Sequence, residues 1–393
     1  MKVCFETFGC RLNRAEALDQ EAEFEERGWI RTEKHSDADL IVVRGCSVTG
    51  HAQRDCERLI DHIRRKYPLK RLVVTGCLPT KSNPFVLKPR QPGSPAPVPK
   101  RTARAFLKVQ DGCSGKCAFC IVPTFRGAPK SVDFGEAVDK ARRFVDAGYR
   151  EIVLAGCNLS AYRSGGNRLP ELVAALADVA PPSQDAERTC RIRLGSVEPG
   201  DVVPGLLDVM AERANVCRFL HLPVQSGSSR VLATMGRPYS AHDVDTLVHS
   251  ARARVPGIAL GSDLMTGFPG ESEIDFLATK GLLARTRFER VHVFPFSKRP
   301  GTPAASMAES VPPTARQTLA RELAMQADRI RCSAARDRIG RTVEIVVEDE
   351  ETGSGWTSDY FWCSCQNLHA PRKSLAKVKV RSSDGHRLVG EPA

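Results

Sequence analysis

The chain predicts an α/β protein in three parts: a small amino-terminal parallel α/β domain, a partial (β/α)6 barrel, and a small carboxy-terminal β-barrel. Three observations predict it. Strand-like and helix-like segments alternate from the start of the chain to Gly76; six further apolar runs follow with helical patterns between them; and the residues beyond the last long helix read as short strands broken by glycine.

KVCFETF reads as a strand, Asn13–Gly28 as a helix, DLIVVRG as a strand, Gln53–Lys66 as a helix and RLVVTG as a strand, the alternation of a parallel layer over residues 1–83. Six prolines between Pro84 and Pro99 deny that stretch both helix and central strand, so 84–103 reads as an extended, basic linker. Over 104–337 the runs AFLKVQ, EIVLAG, CRIRLGS, FLHLPVQ, ALGSDLMTGF and RVHVFPF make six βα-like units. Such a series closes most easily into a complete or partial parallel barrel, with its chemistry at the C-terminal ends of the strands. A helix over Ala315–Asp337 leads into TVEIVVED, a turn at Gly353–Gly355, a short strand around Tyr360–Trp362 and LAKVKV, a β-barrel module over 338–393.

The 393 residues suit about two to four domains, and 41% hydrophobic with 26% charged residues excludes a disordered or collagenous chain. No run approaches the ~18 apolar residues of a membrane span, and the start MKVCFETFGCRLNRAEA has no apolar core, so a cytoplasmic protein with no membrane partner is expected. In that reducing compartment fourteen cysteines favour metal or redox chemistry over disulfides. The net charge of +12 suits an anionic partner such as nucleic acid. Residues 61–104 hold eleven Lys and Arg against Asp61 alone, and 285–341 hold twelve against five acids. These segments can line one anionic surface; solvated helix faces and a soluble linker account for charge equally well.

Cys113-Ser-Gly-Lys-Cys117-Ala-Phe-Cys120 is a C-x3-C-x2-C cluster just beyond the run AFLKVQ, a spacing that chance gives in about 2% of shuffled sequences of this composition. Three close thiolates suit an iron–sulfur cluster or another soft metal; structural zinc, which needs a fourth ligand, and buried unligated cysteines are the alternatives. Gly9-Cys10, Gly45-Cys46 and Gly76-Cys77 each follow an expected strand. Parallel neighbours would gather those thiols at one sheet edge, each glycine allowing a tight turn and close approach to a bulky cluster. Small buried hydrophobes are the alternative there. Cys157, Cys4, Cys56, Cys190, Cys217 and Cys332 read as ordinary buried residues, and Cys363-Ser-Cys365 lacks a partner pair.

The loop Cys113–Cys120, with Phe119 before its last cysteine, resembles the signature of the radical S-adenosylmethionine superfamily. The resemblance implies a 4Fe–4S cluster on Cys113, Cys117 and Cys120, whose open iron binds S-adenosylmethionine, cleaved by one electron to a 5′-deoxyadenosyl radical. Two cysteine sets in this order, with FGCRLN, RGCSVT, TGCLP, LKVQDGCSGKCAFCIVP, LHLPVQSGSSRVLATMGR, SDLMTGFPGE and VFPFSKRPGTPA, look like the methylthiotransferase branch over nearly the whole chain. That implies a second 4Fe–4S cluster on Cys10, Cys46 and Cys77, a radical-SAM barrel, and a TRAM-like RNA-binding module at Arg341–Ala393. Sister activities in the branch modify isopentenyladenosine in tRNA, threonylcarbamoyladenosine in tRNA, or an aspartate in a ribosomal protein. Gly9–Asn13, Gly148–Ile152 and Val293–Arg299 are similar to the threonylcarbamoyladenosine member, which implies 2-methylthiolation of that base at position 37 in a tRNA anticodon stem-loop. A low-potential electron donor and a sulfur donor are the further partners implied. A radical generator suits the task because such a C–H bond resists ordinary acids and bases.

Outside the cysteines, Glu198 in GSVEPG, Gln225 in LPVQSGS, Arg237 in MGRPYS and Asp263 in GSDLMTGF fall at strand ends that face the active-site side and are candidate cofactor contacts. GFPGE at 267–271 reads as a strand-end loop beside the cofactor or as a simple turn. Tyr360, Phe361 and Trp362 offer a base-stacking surface or a small packed core. The chain departs from the family in two places: only 36 positions separate Cys77 from Cys113, with the proline-rich stretch filling about half of them, so the first domain reads as abridged, and the end of the β module also looks short. The rival from another class is a non-catalytic, zinc-stabilised RNA-binding protein. No Walker-type loop, HExxH or GxSxG is present, so ATP-driven thiolation, zinc proteolysis and serine hydrolysis lack support.

Overall fold

A computed structural model describes residues 1–78, 97–182, 189–200 and 203–393. The expected boundary at 83/84, most of the proline-rich linker, and Lys81, Lys88 and Arg90 lie outside the described residues.

The first unit runs β1 (Lys2–Thr7), α1 (Arg11–Glu26), β2 (Ile30–Arg31), β3 (Leu40–Cys46), α2 (Gly50–Lys66) and β4 (Arg71–Cys77), a parallel sheet ordered β2-β1-β3-β4. Central β3 is apolar on both faces because both are covered: Leu40 and Val42 pack with Phe5 and Phe24, while Ile41 and Val43 pack with Ile60 and Ile63 of α2. α2 begins three residues before the expected Gln53, since the Thr49 hydroxyl accepts from Ala52 N at 3.2 Å and caps it.

The second unit runs β5 (Ala105–Lys108), β6 (Gln110–Asp111), α3 (Val122–Arg126), β7 (Lys130–Ser131), α4 (Phe134–Asp146), β8 (Glu151–Ala155), β9 (Arg163–Ser164), β10 (Asn167–Arg168), α5 (Leu169–Ala177) and β11 (Arg191–Arg193). It continues through α6 (Val203–Glu212), β12 (Phe219–Gln225), α7 (Ser229–Thr234), α8 (Ala241–Arg254), β13 (Ala259–Thr266), α9 (Glu273–Thr286), β14 (Arg290–Pro295) and α10 (Pro313–Arg336). Strands β5, β8 and β11 form one parallel sheet and β12, β13 and β14 another. Parallel bridges Ile192–Val216 and Ser196–His221 join them. The six strands therefore lie side by side in chain order, and no pairing among the described residues joins β5 to β14. One face of β5 and β8 packs on α4 and α5 through Leu107, Ile152 and Leu154. Ala15 and Leu18 of α1 cover the other through Phe106, Val153 and Ala155, so the amino-terminal unit lies on the inner face of the partial barrel.

The third unit is a closed five-stranded barrel, β15 (Thr342–Asp349), β16 (Ser354–Thr357), β17 (Trp362–Cys365), β18 (Leu375–Ser383) and β19 (Arg387–Pro392), ordered β15-β16-β17-β19-β18. The expected turn at Gly353–Gly355 ends at Gly353; Gly355 is already in β16, where the backbone of Val346 lies too close for any side chain. The expected strand at Tyr360–Trp362 starts at Trp362, because Tyr360 takes φ 70° and sends Phe361 into the module core with Cys363 and Cys365. β19, short and polar, gains its place by pairing with β17 and β18.

The module docks at the N-terminal ends of the barrel strands. Fully buried Glu151, first in β8, accepts from Arg191 Nε at 2.6 Å and Arg193 Nε at 2.7 Å. Those arginines also donate to module carbonyls, Arg191 to Glu344 at 3.0 Å and Arg193 to Thr357 at 2.7 Å. Arg104 joins by pairing with Glu348 and Glu151. Arg104 belongs to the basic stretch 61–104, yet its charge is consumed inside the fold, as are those of Arg316, paired with Glu309, and Arg338, paired with Glu289 and Asp359, from the stretch 285–341. Among the described residues, no helix is long and apolar enough to cross a membrane.

Candidate active site

Three parallel strands that end at one edge bring the first cysteine set together. Cys46 and Cys77 are the last residues of β3 and β4 and direct register partners, and Cys10 stands at the N-cap of α1 just beyond β1. Cys10 is exposed; Cys46 and Cys77 are buried. The preceding glycines serve different ends. Gly9 and Gly76 adopt φ 93° and 89°, and a Cβ on Gly9 would stand 2.8 Å from Cys46 Sγ. Gly45 has no such φ; it makes room for Leu78, whose Cδ1 would lie 1.9 Å from an added Cβ. Buried Asn13 ties the edge together, its Nδ2 donating to Phe8 O and Gly45 O at 2.9 Å each. Arg126 Nε donates to Cys77 Sγ at 3.0 Å, and Arg126 Nη2 to Asn13 Oδ1 at 2.6 Å. Burial pushes the Cys46 thiol up to about 11; at Cys77 burial also pushes upward, with Arg126 opposing it.

The second set lies on the loop after β6. Cys113 N donates to Gly127 O at 3.0 Å, Gly115 N to Cys113 Sγ at 3.2 Å, and Ala118 N to Met235 O at 2.9 Å, which fixes the loop against the segment after α7. Gly236, at φ 74°, comes so close that an added Cβ would lie 2.7 Å from Lys116 O. Phe119 meets Phe268 of the 267–271 loop edge-on at 6.5 Å, so that loop acts through packing behind the cysteines. Arg237 Nη1 donates to Cys117 Sγ at 3.3 Å and pairs with Glu198, and its Nη2 donates to Pro223 O at 2.9 Å. Gln225, at φ 77°, donates through Nε2 to the same carbonyl at 3.3 Å. A cavity of 610 Å³ opens over Cys113, Cys117, Glu198 and Arg237. Gln225 Oε1 and Arg237 Nε are buried with no hydrogen-bond partner among the described residues. The orphaned nitrogen of Arg237, which lines this cavity, fits a polar ligand there; Gln225 does not line it.

A further cavity, of 410 Å³, lies between the amino-terminal sheet edge and the barrel, with Cys10 and Cys46 on one side and His221, Asp263, Arg290 and His292 on the other. Asp263 lines this cavity, 3.1 Å from His221 Nε2, and not the one over Glu198 and Arg237. Burial pushes the Asp263 carboxyl up, and its bond to His221 outweighs that to leave it below the usual range.

Tyr239 joins the second set, its hydroxyl donating to Glu198 Oε1 at 3.3 Å, and the sequence pattern marked neither it nor His221 and His292, each a lone polar residue until the fold supplies its neighbour. Asn13 and Arg126 flank the cysteine motifs, and that proximity is the one hint they offered. Of the aromatic trio, Phe361 is core, Tyr360 is buried beneath arginines, and Trp362 lines a surface cavity with Trp356. Cys332, expected to be buried, is half-buried beside Asp328 and His386.

Residues 107–283 match the model of the Radical SAM superfamily, and residues 2–92 that of Uncharacterized protein family UPF0004. The chain is 32% identical to tRNA-2-methylthio-N(6)-dimethylallyladenosine synthase of Chlorobium limicola, covering 100% of this chain and 98% of that protein. It is 29% identical to Threonylcarbamoyladenosine tRNA methylthiotransferase MtaB of Bacillus subtilis, over 96% of this chain and 93% of that one. Among solved structures, the radical S-adenosylmethionine methyltransferase TsrM from Kitasatospora setae superposes with a TM-score of 0.54 at 14% identity, covering 77% of this chain and 75% of that chain, a likeness of fold. Matched along its full length and through both cysteine-bearing regions, the chain belongs to the radical S-adenosylmethionine methylthiotransferase family.

Proposed function

We propose that this enzyme transfers a methylthio group to C2 of N6-threonylcarbamoyladenosine beside the anticodon of tRNA, using residues 1–83 and 104–337 for chemistry and 338–393 as an RNA-binding module. In this reading Cys113, Cys117 and Cys120 hold one 4Fe–4S cluster and Cys10, Cys46 and Cys77 a second, with Glu198, Gln225 and Arg237 around S-adenosylmethionine. When bound, these groups supply a carbon-centred radical and an activated sulfur. The chain's own residues do the rest: Arg237 and Arg126 donate to cysteine sulfurs, the start of α1 and the barrel wall enclose the cavity beside the first set, and Asp263 orients His221 in it.

Cluster ligation is supported by the spread of the thiols. A single tetrahedral zinc draws its sulfurs to about 3.8 Å from one another. Among the described residues, the donor groups gathered within 4.8 Å are Cys4–Glu6–His35 and Asp328–Cys332–His386, and none of the six cysteines belongs to either.

The observation that carries the substrate choice is the basic lining of the 410 Å³ cavity: two guanidinium groups, Arg11 and Arg290, and the imidazoles of His221 and His292 share it with one carboxylate, Asp263. A threonylcarbamoyl group brings its own carboxylate to such a site, whereas a dimethylallyl group brings only hydrocarbon. Nucleoside mass spectrometry of tRNA from a strain lacking the gene tests the reading. Loss of the 2-methylthio form of threonylcarbamoyladenosine is expected, and loss confined to the isopentenyl nucleoside, or an unchanged tRNA with loss at a ribosomal protein, would overturn it.

A further inference from the structure

Arg290 is the first residue of β14, and its side chain lines two cavities at once. Inward lies the 410 Å³ space that reaches Cys10 and Cys46. Outward lies a 510 Å³ space bounded by Trp356, Trp362, Arg331 and Arg387. Gly261, its register partner on β13, lets Phe219 and His221 close in: a Cβ there would meet Phe219, Arg290 O and His221 within 2.9 Å.

The guanidinium differs from those of four other half-buried arginines. Arg44, Arg104, Arg126 and Arg237 each hold a carboxylate. Arg290 makes no hydrogen bond and no ion pair among the described residues; it lies only on ring faces, 4.4 Å from the Tyr360 centroid and 5.3 Å from that of Trp356. Burial pushes its pKa down to about 10, with Tyr360 pulling upward and Arg331, Arg11 and Arg193 downward, which leaves it protonated at neutral pH, and Asp263 is the one carboxylate that lines the inner cavity with it. Burial pushes the Tyr360 phenol up, the four arginines around it outweigh that, and at about 8 it stays mostly neutral at pH 7. A half-buried cation with stacked faces, whose N–H edges no protein group takes up, is available to an anionic ligand in the cavities it lines.

We infer that Arg290 is the specificity-determining residue for the substrate, held flat by Tyr360 and Trp356 so that its free edge forks onto the carboxylate of the threonylcarbamoyl group. This rests on the substrate reading above. A backbone phosphate of the same RNA is the other source of anionic oxygen, and the two are separable.

The test uses the full-length, anaerobically reconstituted protein and three anticodon stem-loop oligonucleotides, carrying threonylcarbamoyladenosine, dimethylallyladenosine or plain adenosine. Affinity is read by fluorescence anisotropy and methylthiolation by mass spectrometry, with circular dichroism and iron content reporting the fold. In the parent, the threonylcarbamoyl oligonucleotide should bind about tenfold more tightly than plain adenosine, the scale of one charge-assisted fork. In Arg290→Met that ratio should fall to about one. In Arg290→Lys, which keeps the charge and loses the fork, it should fall between the two, and this variant decides the matter if the methionine variant does not fold. An undiminished ratio in either folded variant, or an equal loss on all three oligonucleotides, as a phosphate contact would give, overturns the role of Arg290. Preference of the parent for the dimethylallyl oligonucleotide overturns instead the substrate reading on which it rests.

Discussion

Arg126 Nε stands 3.0 Å from Cys77 Sγ, so a side chain from the helix just after Cys120 touches a thiol of the other cysteine set, 49 positions earlier in the chain. The same guanidinium holds Glu16 at 2.7 Å and Asn13 at 2.6 Å. One residue thus clamps the amino-terminal sheet edge to the loop that carries the second set.

Arg126→Gln should weaken metal binding at the first set by about 10–100-fold, the usual effect of losing a group that supports a ligand. Burial already raises the Cys77 pKa, and Arg126 lowers it, so the variant's thiol ionises at still higher pH. Cluster assembly should therefore shift to more alkaline pH. Iron content and visible absorbance across a pH series check this, and an unchanged profile would remove the clamp from the assembly of the site.

Separate cluster sites predict separable losses. Alanine at Cys113, Cys117 or Cys120 should abolish 5′-deoxyadenosine formation under a low-potential reductant. The triple variant Cys10→Ala, Cys46→Ala, Cys77→Ala should keep that reaction, lose about half of the iron, and yield no methylthiolated product. Full iron content in the triple variant would contradict the second site.

Arg64, Arg65 and Lys66 are exposed at the end of α2, and their charges remain available to an RNA phosphate. Binding of tRNA should weaken steeply with salt, and charge reversal at these three should flatten the log–log slope by up to about three. A slope identical in parent and variant would show that α2 does not meet the RNA.

Glu151→Gln should cost about 3–5 kcal/mol at neutral pH, because it leaves Arg191 and Arg193 buried without their counter-charge. Burial raises the Glu151 pKa, but Arg193, Arg191 and Arg104 outweigh that and hold the carboxyl far below the usual range. Its contribution is therefore complete above about pH 4.3, the unfolded value, and is lost as pH falls toward the folded one. Thermal melts of parent and variant should differ at pH 7 and converge in acid; a gap that widens in acid would refute the network.

The sequence by itself determined the order of elements, the two cysteine sets and the family. Each rests on local pattern: alternating apolar strands and helices fix a parallel layout, and a Cys-x3-Cys-x2-Cys spacing, like a Gly-Cys at each of three strand ends, is read along the chain without knowledge of distant contacts. What pairs residues far apart in the chain needed the tertiary structure. Asp263 shared with Glu198, Gln225 and Arg237 only its place at a strand end, and strand order puts it against His221 instead. The basic count at 61–104 and 285–341 held Arg104, Arg316 and Arg338, whose charges the fold spends on Glu151, Glu348, Glu309, Glu289 and Asp359. Arg290 carried no motif at all. Charge is legible in a sequence, but whether a charge is paired depends on which carboxylate lies a few ångströms away, and that distance is set by packing between segments the sequence leaves unconnected.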